Sequence, residues 1–513
     1  MRLDEEDNNT IMTQVVSPEL TRRGAIKGVL AITAAVAGTA LLAACGGSAA
    51  VTTSSTAATV SAALTTASSA ATSSAAPTST ATTTSSAATS SATTSSAATS
   101  SAATSSAATS SAATSAASTS SASAATAASG TGATAAIAKG GTIKIGIDLP
   151  ITGADASDGV PAENGAKLAI DQANSKGTVP GYKLEAYVLD DAVNGVHDPA
   201  QGARNVQQFV GDNATVAFVG PFNSNVAKVE IPISNEAGIA QISPSATNEG
   251  LTKPQFGGLD LRKSNPTRIA FFRVCTTDDI QGPAGADYAL NKLNKKAAYI
   301  VDDNETYGLG VANNFEKEFT AKGGKVLGHD HLTKGQTDFK SLLTKIKGAS
   351  PDIVIYGGTT STGGGLLRAQ MPDAGLGSLP YLGFDGISDA QFLKDAGSAA
   401  DNCYYTVAAV NAAKIPAAAQ FITDYKAAYK ADIGAYSANC FDAANIIIAA
   451  IAKAAAAGGV TREAVRANIA ATKDFKGVIG TTSFDANGDT TNRIISIYSI
   501  TKGKTNFADQ ITA

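Results

Sequence analysis

Thr142-Ile143-Lys144-Ile145-Gly146-Ile147 is a run of β-formers, and it is followed by Val160 to Asn174, where Ala162, Ala166, Ala169, Ile170 and Ala173 recur at helical spacing. A strand period giving way to a helical period opens a βαβ unit. Lys183 to Leu189 supplies its second strand. Asp198-Pro199 then marks a helix start, with a carboxylate N-cap and proline in the first turn. Thr215 to Val219 and Ile239 to Ile242 are short apolar strands, each followed by a polar loop. The theme restarts at Ala297 to Val301 and continues through Val326 to Leu332, Ile353 to Tyr356, and Tyr381-Leu382. Alternation of this kind requires right-handed crossovers and parallel sheets. Two series of it predict an α/β protein with two doubly wound parallel-sheet lobes. Near the C-terminus, Asn487-Gly488 lies between two β-rich runs and reads as a turn. The surrounding carboxylates lack the mid-loop glycine and downstream glutamate of a calcium loop.

Upstream of these elements the chain changes character. From Gly46 to Ala138 it is almost wholly Ala, Ser and Thr, with no charged or aromatic residue, and six five-residue units repeat from Ser86 to Ser115. Such units bury nothing, so chain entropy dominates and residues 46–138 are expected to form a disordered linker. Residues 1–45 read as an export address. Arg22, Arg23 and Lys27 precede an uncharged apolar run, Gly28 to Ala44. As a helix that run rises only ~25 Å, short of a ~30 Å hydrocarbon core. Thr21 to Lys27 resembles a twin-arginine signal, though Ala25 stands where an aromatic is usual. Leu42-Ala43-Ala44-Cys45 resembles a lipobox, which implies lipidation of Cys45. The folded part is then residues 139–513.

Composition narrows the function. Lys+Arg 39 against Asp+Glu 43 leaves a net charge of −4, without the basic excess that nucleic-acid binding requires. HExxH, GxSxG and GxxxxGK[ST] signatures are absent, so an enzyme is not expected. The glycine-rich stretch Gly357 to Gly365 follows a strand but carries no lysine after its glycines, and reads as a strand-to-helix turn. Neither a metal nor another cofactor is called for. His329 and His331, two apart in a strand, share a face and read as surface residues. Cys275, Cys403 and Cys440 could form one disulfide at most once Cys45 is lipidated. Polar loops after strands carry the sharper signal: Gly220 to Asn225 opens a helix, and Ser243 to Thr247 follows the next strand. Ligands of parallel α/β sheets bind outside the carboxyl ends of strands, where helix-start amides and hydroxyls favour anions.

These loops, together with Asp148 to Gly153, Asp190-Asp191, Phe218-Val219-Gly220, Gln281-Gly282-Pro283, Asp302 to Gly308, Tyr356-Gly357-Gly358, Gly383 to Gly386 and Phe441 to Ala444, resemble the leucine/isoleucine/valine-binding proteins in order and spacing. That family comprises solute receptors of ABC importers with the type I periplasmic-binding fold, and the resemblance covers Gly141 to the C-terminus. It implies a lobe of 141–274 plus 409–494, a second of 275–408 plus 495–513, a three-strand hinge, and a monomer that closes on a small solute, most simply an amino acid. Ser224 and Thr247 match the residues that hold the ligand carboxylate. Ser245, next to Ala246, matches the carbonyl that meets the ammonium, and Asp385 matches the carboxylate that pairs with it. Tyr307 and Tyr436 match aromatics near the ligand. Asp158 and Thr359 stand where the family usually places aromatic rings, which implies a pocket poorer for leucine and better for a polar or cationic group. Importer permease subunits and, through Cys45, the outer face of the cell membrane would be the partners. A ligand sensor, or a receptor for short amides, urea or carboxylates, is the alternative reading.

Overall fold

The computed structural model describes residues 135–513. Cys45, the rest of the export signal and residues 46–134 lie outside them. The first sheet contains β1 (Thr142–Leu149), β2 (Lys183–Asp190), β3 (Thr215–Val219), β4 (Ala240–Ser243) and β5 (Phe271–Arg273), in the order β2-β1-β3-β4-β5 and all parallel. The helices between them are α1 (Ala156–Lys176), α2 (Pro199–Gly211) and α3 (Ser224–Ala237). The start of α2 is built as its sequence implies: the Asp198 carboxylate accepts from the Gln201 amide at 2.8 Å and Pro199 is the first helical residue.

The second sheet contains β6 (Ala297–Asp302), β7 (Lys325–His331), β8 (Ile353–Gly357), β9 (Tyr381–Gly383), β10 (Cys403–Val407), β11 (Ile494–Thr501) and β12 (Lys504–Thr512), in the order β12-β11-β10-β9-β8-β6-β7. Its helices are α4 (Asp278–Asp287), α5 (Thr306–Ala321), α6 (Lys340–Ala349), α7 (Gly364–Gln370) and α8 (Ala390–Ala396). Alternate residues of β6 serve opposite faces. Tyr299 and Val301 join Tyr356, Tyr381 and Phe392, whereas Ala298 and Ile300 join Phe315 and Phe384. The sheet is therefore covered on both sides. It is mixed rather than wholly parallel, because β11 runs antiparallel to both β10 and β12. The β11–β12 turn has positive φ at Lys502 (54°) and Gly503 (65°), the pair of angles a type I′ hairpin needs.

The last three helices, α9 (Ala419–Tyr429), α10 (Ser437–Ala456) and α11 (Arg462–Ala470), follow a strand of the second sheet but serve the first. Ile446, Ile447 and Ile451 of α10 share one core with Ile145 and Ile147 of β1 and with Ala166 and Ala169 of α1. Although α10 is apolar and long enough to span a membrane, most of it is buried in that core. The chain thus passes between the sheets three times, and the passages are stitched together. The Thr276 amide donates to the Ala408 carbonyl at 2.8 Å, Thr276 Oγ1 to the Ile494 carbonyl at 2.9 Å, and Ser496 Oγ to the Ala409 carbonyl at 2.8 Å. At the Asn487-Gly488 turn, Asp485 Oδ1 accepts from the Asn487 and Asp489 amides, and Asp489 is paired with the buried Arg273 at 2.7 Å. Cys275, Cys403 and Cys440 are each buried and free, so no disulfide forms among the described residues.

Candidate functional site

The loops singled out above meet where the two sheets face each other. Ser224 is the first residue of α3, at the positive end of a fourteen-residue helix, and is buried. Its Oγ accepts from the Asn248 amide at 3.2 Å, which ties it to the loop after β4. In that loop the Thr247 hydroxyl is buried and has no hydrogen-bond partner. The Ser245 hydroxyl donates to the Phe222 carbonyl at 2.9 Å. Both backbone polar groups of Ala246 are engaged, the amide with Ser243 Oγ at 2.9 Å and the carbonyl with Arg273 at 2.8 Å. Ala246 therefore offers a ligand only its methyl group and its position.

From the second sheet comes Asp385, which follows β9 after one intervening residue, Phe384, and is 7% exposed. Three neutral groups donate to its carboxylate: Gln281 Nε2 at 2.7 Å and Tyr307 OH at 2.8 Å to Oδ1, and Tyr436 OH at 2.8 Å to Oδ2. Burial pushes its carboxyl above the usual range, and these donors oppose the shift. No cation pairs with it among the described residues. Asp278 on α4 is fully buried, and neither of its carboxylate oxygens has a partner. Burial, with Glu249 and Asp385 adding like charge, holds it well above the ordinary carboxylate range. The arrangement thus combines electron-rich groups, Asp385 and Asp278, with donors at Thr247 and the start of α3, and Thr247 lies next to Asp278, whose amide donates to its carbonyl at 3.0 Å.

A cavity of about 470 Å³ is bounded by residues from both sheets' sides, among them Asp158, Asp389, Tyr405, Val407, Asn411 and Asp432, and is lined by none of Ser224, Thr247, Tyr307, Asp385 and Tyr436. Asp158, in the first turn of α1, makes no hydrogen bond with the described residues. Burial, then Asp389, Asp155 and Asp385, raise its carboxyl well above the usual range. Thr359 does not line this cavity. Its hydroxyl is bonded to Ser361 and Thr362, and its amide donates to Asp303 at 3.3 Å. Bonds also bridge the two sides directly. His197 Nδ1 meets Asp155 at 2.8 Å while its Nε2 meets Glu305 at 2.7 Å, Asn225 donates to Glu305 at 2.7 Å, and Ser157 donates to Asp389 at 2.9 Å.

The structure therefore brings Ser224, Thr247, Tyr307, Asp385 and Tyr436 together, places Asp158 on the cavity, and leaves Thr359 in a hydroxyl cluster behind. Gln281, Asp278 and the His197–Glu305 pair are parts of the site that no local pattern assigned. The Gln281–Asp385 bond spans 104 residues of chain, and nothing in either segment alone announces it.

Residues 142–505, well over half of the chain, match the family described as periplasmic binding protein. The chain belongs to the periplasmic binding protein family. This periplasmic binding protein is 33% identical over 365 residues to the Leu/Ile/Val-binding protein BraC3 of Rhizobium johnstonii, covering 71% of this chain and 92% of the relative. It is 31% identical over 362 residues to Leu/Ile/Val-binding protein homolog 3 of Brucella melitensis, covering 71% and 92%. Among solved structures it resembles the branched-chain amino acid transporter substrate-binding protein LivJ of Streptococcus pneumoniae in complex with isoleucine, at TM-score 0.63 and 28% identity. That match spans 72% of this chain and 100% of the other. Leucine-binding protein LivK of Thermotoga maritima matches with TM-score 0.63 and 25% identity, over 72% and 99%.

Proposed function

We propose that this protein is an exported, membrane-tethered receptor that captures an amino acid between two lobes and presents it to an ABC importer. The observation that carries this reading is the buried Asp385 carboxylate. It is held by three neutral donors and lacks a cation among the described residues, while the Thr247 hydroxyl is buried without a partner and Ser224 opens α3. A zwitterion complements both kinds of group: its ammonium pairs with Asp385, and its carboxylate takes Thr247, Ser224 and the helix amides. The leucine- and isoleucine-binding relatives support the same class of solute. The lobes are 141–274 with 409–494 and 275–408 with 495–513, and the three stitched passages form the hinge. Ligand contacts to both lobes favour the closed form over the open one.

Residues 22–45 support export by the twin-arginine route and a lipid on Cys45, with the Ala/Ser/Thr linker as tether. A lipid-shifted mass on the mature N-terminal cysteine checks the anchor. The solute is checked by a thermal-shift screen of amino acids, amides and aromatic acids, followed by calorimetry. A charge-assisted hydrogen bond contributes ~1.5–3 kcal/mol, so Asp385→Ala is expected to weaken an α-amino acid roughly ten- to a hundredfold. Equal affinity in wild type and Asp385→Ala removes the ammonium from the site and leaves a carboxylate or amide as the solute.

A further inference from the structure

Away from the cleft, two histidines converge on one carboxylate. Asp302 ends β6, and its strand neighbour β7 carries His329 and His331, with Asp302 paired in register with His331. Residues two apart in a strand share a face, so both imidazoles project on the same side as Asp302. His329 Nε2 lies 2.6 Å from Asp302 Oδ2, and His331 Nδ1 lies 2.8 Å from both Asp302 oxygens. One nitrogen of each ring and one Asp302 oxygen fall within 4.8 Å of one another. Ligand atoms that share an ion at about 2 Å each must lie within about 4 Å of one another, so a small adjustment suffices.

A fourth residue distinguishes this cluster from an ordinary ion pair. His329 Nδ1 lies 2.7 Å from Glu316 Oε2 on α5. A neutral imidazole that donates its Nδ1 proton to Glu316 turns the Nε2 lone pair toward an Asp302 oxygen, which also carries only lone pairs. A proton or a metal ion resolves that conflict. A neutral His331 can simply donate from Nδ1 to Asp302, so the conflict lies at His329, where a metal also turns Glu316–His329 into the carboxylate–histidine–metal relay that orients histidine ligands. His197 also has a carboxylate on each ring nitrogen, but its two partners lie on opposite sides and no second imidazole joins them. Asp302 is fully buried and further anchored by the Asn304 amide at 2.7 Å, so the carboxylate is fixed before an ion arrives. The His331 side chain is 48% exposed, which leaves an entry path and room for water ligands.

We propose that Asp302, His329 and His331 form a binding site for a divalent transition metal of the zinc class, with Glu316 as the positioning residue behind His329. Two imidazoles and one carboxylate suit zinc, cobalt, nickel or copper, and do not suit calcium or magnesium, which take oxygen ligands. The ion links the outermost strand, β7, to its only neighbour in the sheet, at the end from which the loop toward Tyr307 departs.

The test is calorimetric titration of the full chain with zinc chloride near neutral pH, with circular dichroism of each variant. One equivalent is expected to bind wild type. His331→Gln alters a half-exposed ring and should keep the fold while weakening zinc at least tenfold. Glu316→Gln should weaken it by about tenfold through loss of the relay, and excess magnesium should not compete. No zinc binding to wild type, or zinc binding unchanged in both His331→Gln and His329→Ala, overturns the proposal. Competition by magnesium overturns the assignment of metal class.

Discussion

Asp158 is the residue on which the expected ligand choice turns. The relatives named for leucine, isoleucine and valine handle apolar side chains, yet here a carboxyl borders the cavity, faces Asp389, Asp155 and Asp385, and has no hydrogen-bond partner among the described residues. An apolar side chain placed there leaves that group uncompensated, whereas a cation or a hydrogen-bond donor satisfies it. Leucine is therefore expected to bind less tightly than arginine, glutamine or a short amide in direct competition on the purified protein. The sign of the pH effect follows. Because the carboxyl titrates well above its usual range, affinity for a cationic side chain should rise as pH climbs through that elevated value, while affinity for a neutral one should stay level. Tightest binding by leucine or isoleucine at every pH sinks this reading of Asp158. The sequence left two other roles open for this residue, exposure to solvent and capping of the helix. In the structure Asp158 is partly exposed, borders the cavity and makes no cap bond, so the solvent-facing role stays open and the competition experiment decides. Ser224, Thr247, Tyr307, Tyr436 and Asp385 were named as candidates because each lies in a segment that carries the family resemblance or beside a helix start. Asp278 and Gln281 were not, because their helix reaches the site only through tertiary packing.

Among the elements, the pairing of α1 with α10 shows where local propensity and packing disagree. Gly165 lies inside α1, and a Cβ there would stand 2.2 Å from the Ser437 carbonyl oxygen of α10. In an open helix, alanine is better than glycine by ~1 kcal/mol. Here backbone blocks the methyl group, so Gly165→Ala should destabilise by about 1–3 kcal/mol through forced separation of the helices. Gly348 in α6 meets nothing within 4 Å, and Gly348→Ala should be neutral or stabilising. Thermal melts of the two variants check the contrast, and equal shifts would refute it. Strands were the most readable elements. Thr215–Val219 matches the sequence boundaries, and other predicted strands moved by one or two residues. Phe271–Arg273 and Cys403–Val407 were not read as strands. The antiparallel β11–β12 hairpin was overlooked although Lys502-Gly503 is itself a turn signal, because βαβ alternation had argued for parallel strands alone.

For the whole molecule, the contact between the two sheets' sides is electrostatic as well as steric. His197 is 1% exposed, and although burial alone would lower its pKa, Asp155 and Glu305 more than offset this and raise it well above the usual value. Asp191 and Asp303 lie nearby, but burial raises both carboxyls, Asp303 to about 7, and so favours their neutral forms. A histidine raised in this way contributes stability that is complete below its ordinary pKa, persists at neutral pH, and disappears as pH rises through the elevated value. Ligand affinity should therefore fall under alkaline conditions if the closed form depends on this bridge. Removing one partner of a buried pair is costly, so His197→Gln should weaken the ligand at least tenfold near neutrality and flatten the alkaline fall. Calorimetry across pH on both proteins checks this, and an identical profile in the variant would exclude the bridge. The three passages between sheets also bear on how the chain acquires its shape. The first sheet cannot complete its core until α10 is available, and the second gains its antiparallel edge only from residues 494–512. Each sheet waits for segments synthesised after most of the other. Assembly is consequently governed by contacts distant in sequence, which favours slow folding and makes an incomplete chain a sticky, half-covered intermediate rather than a finished first half.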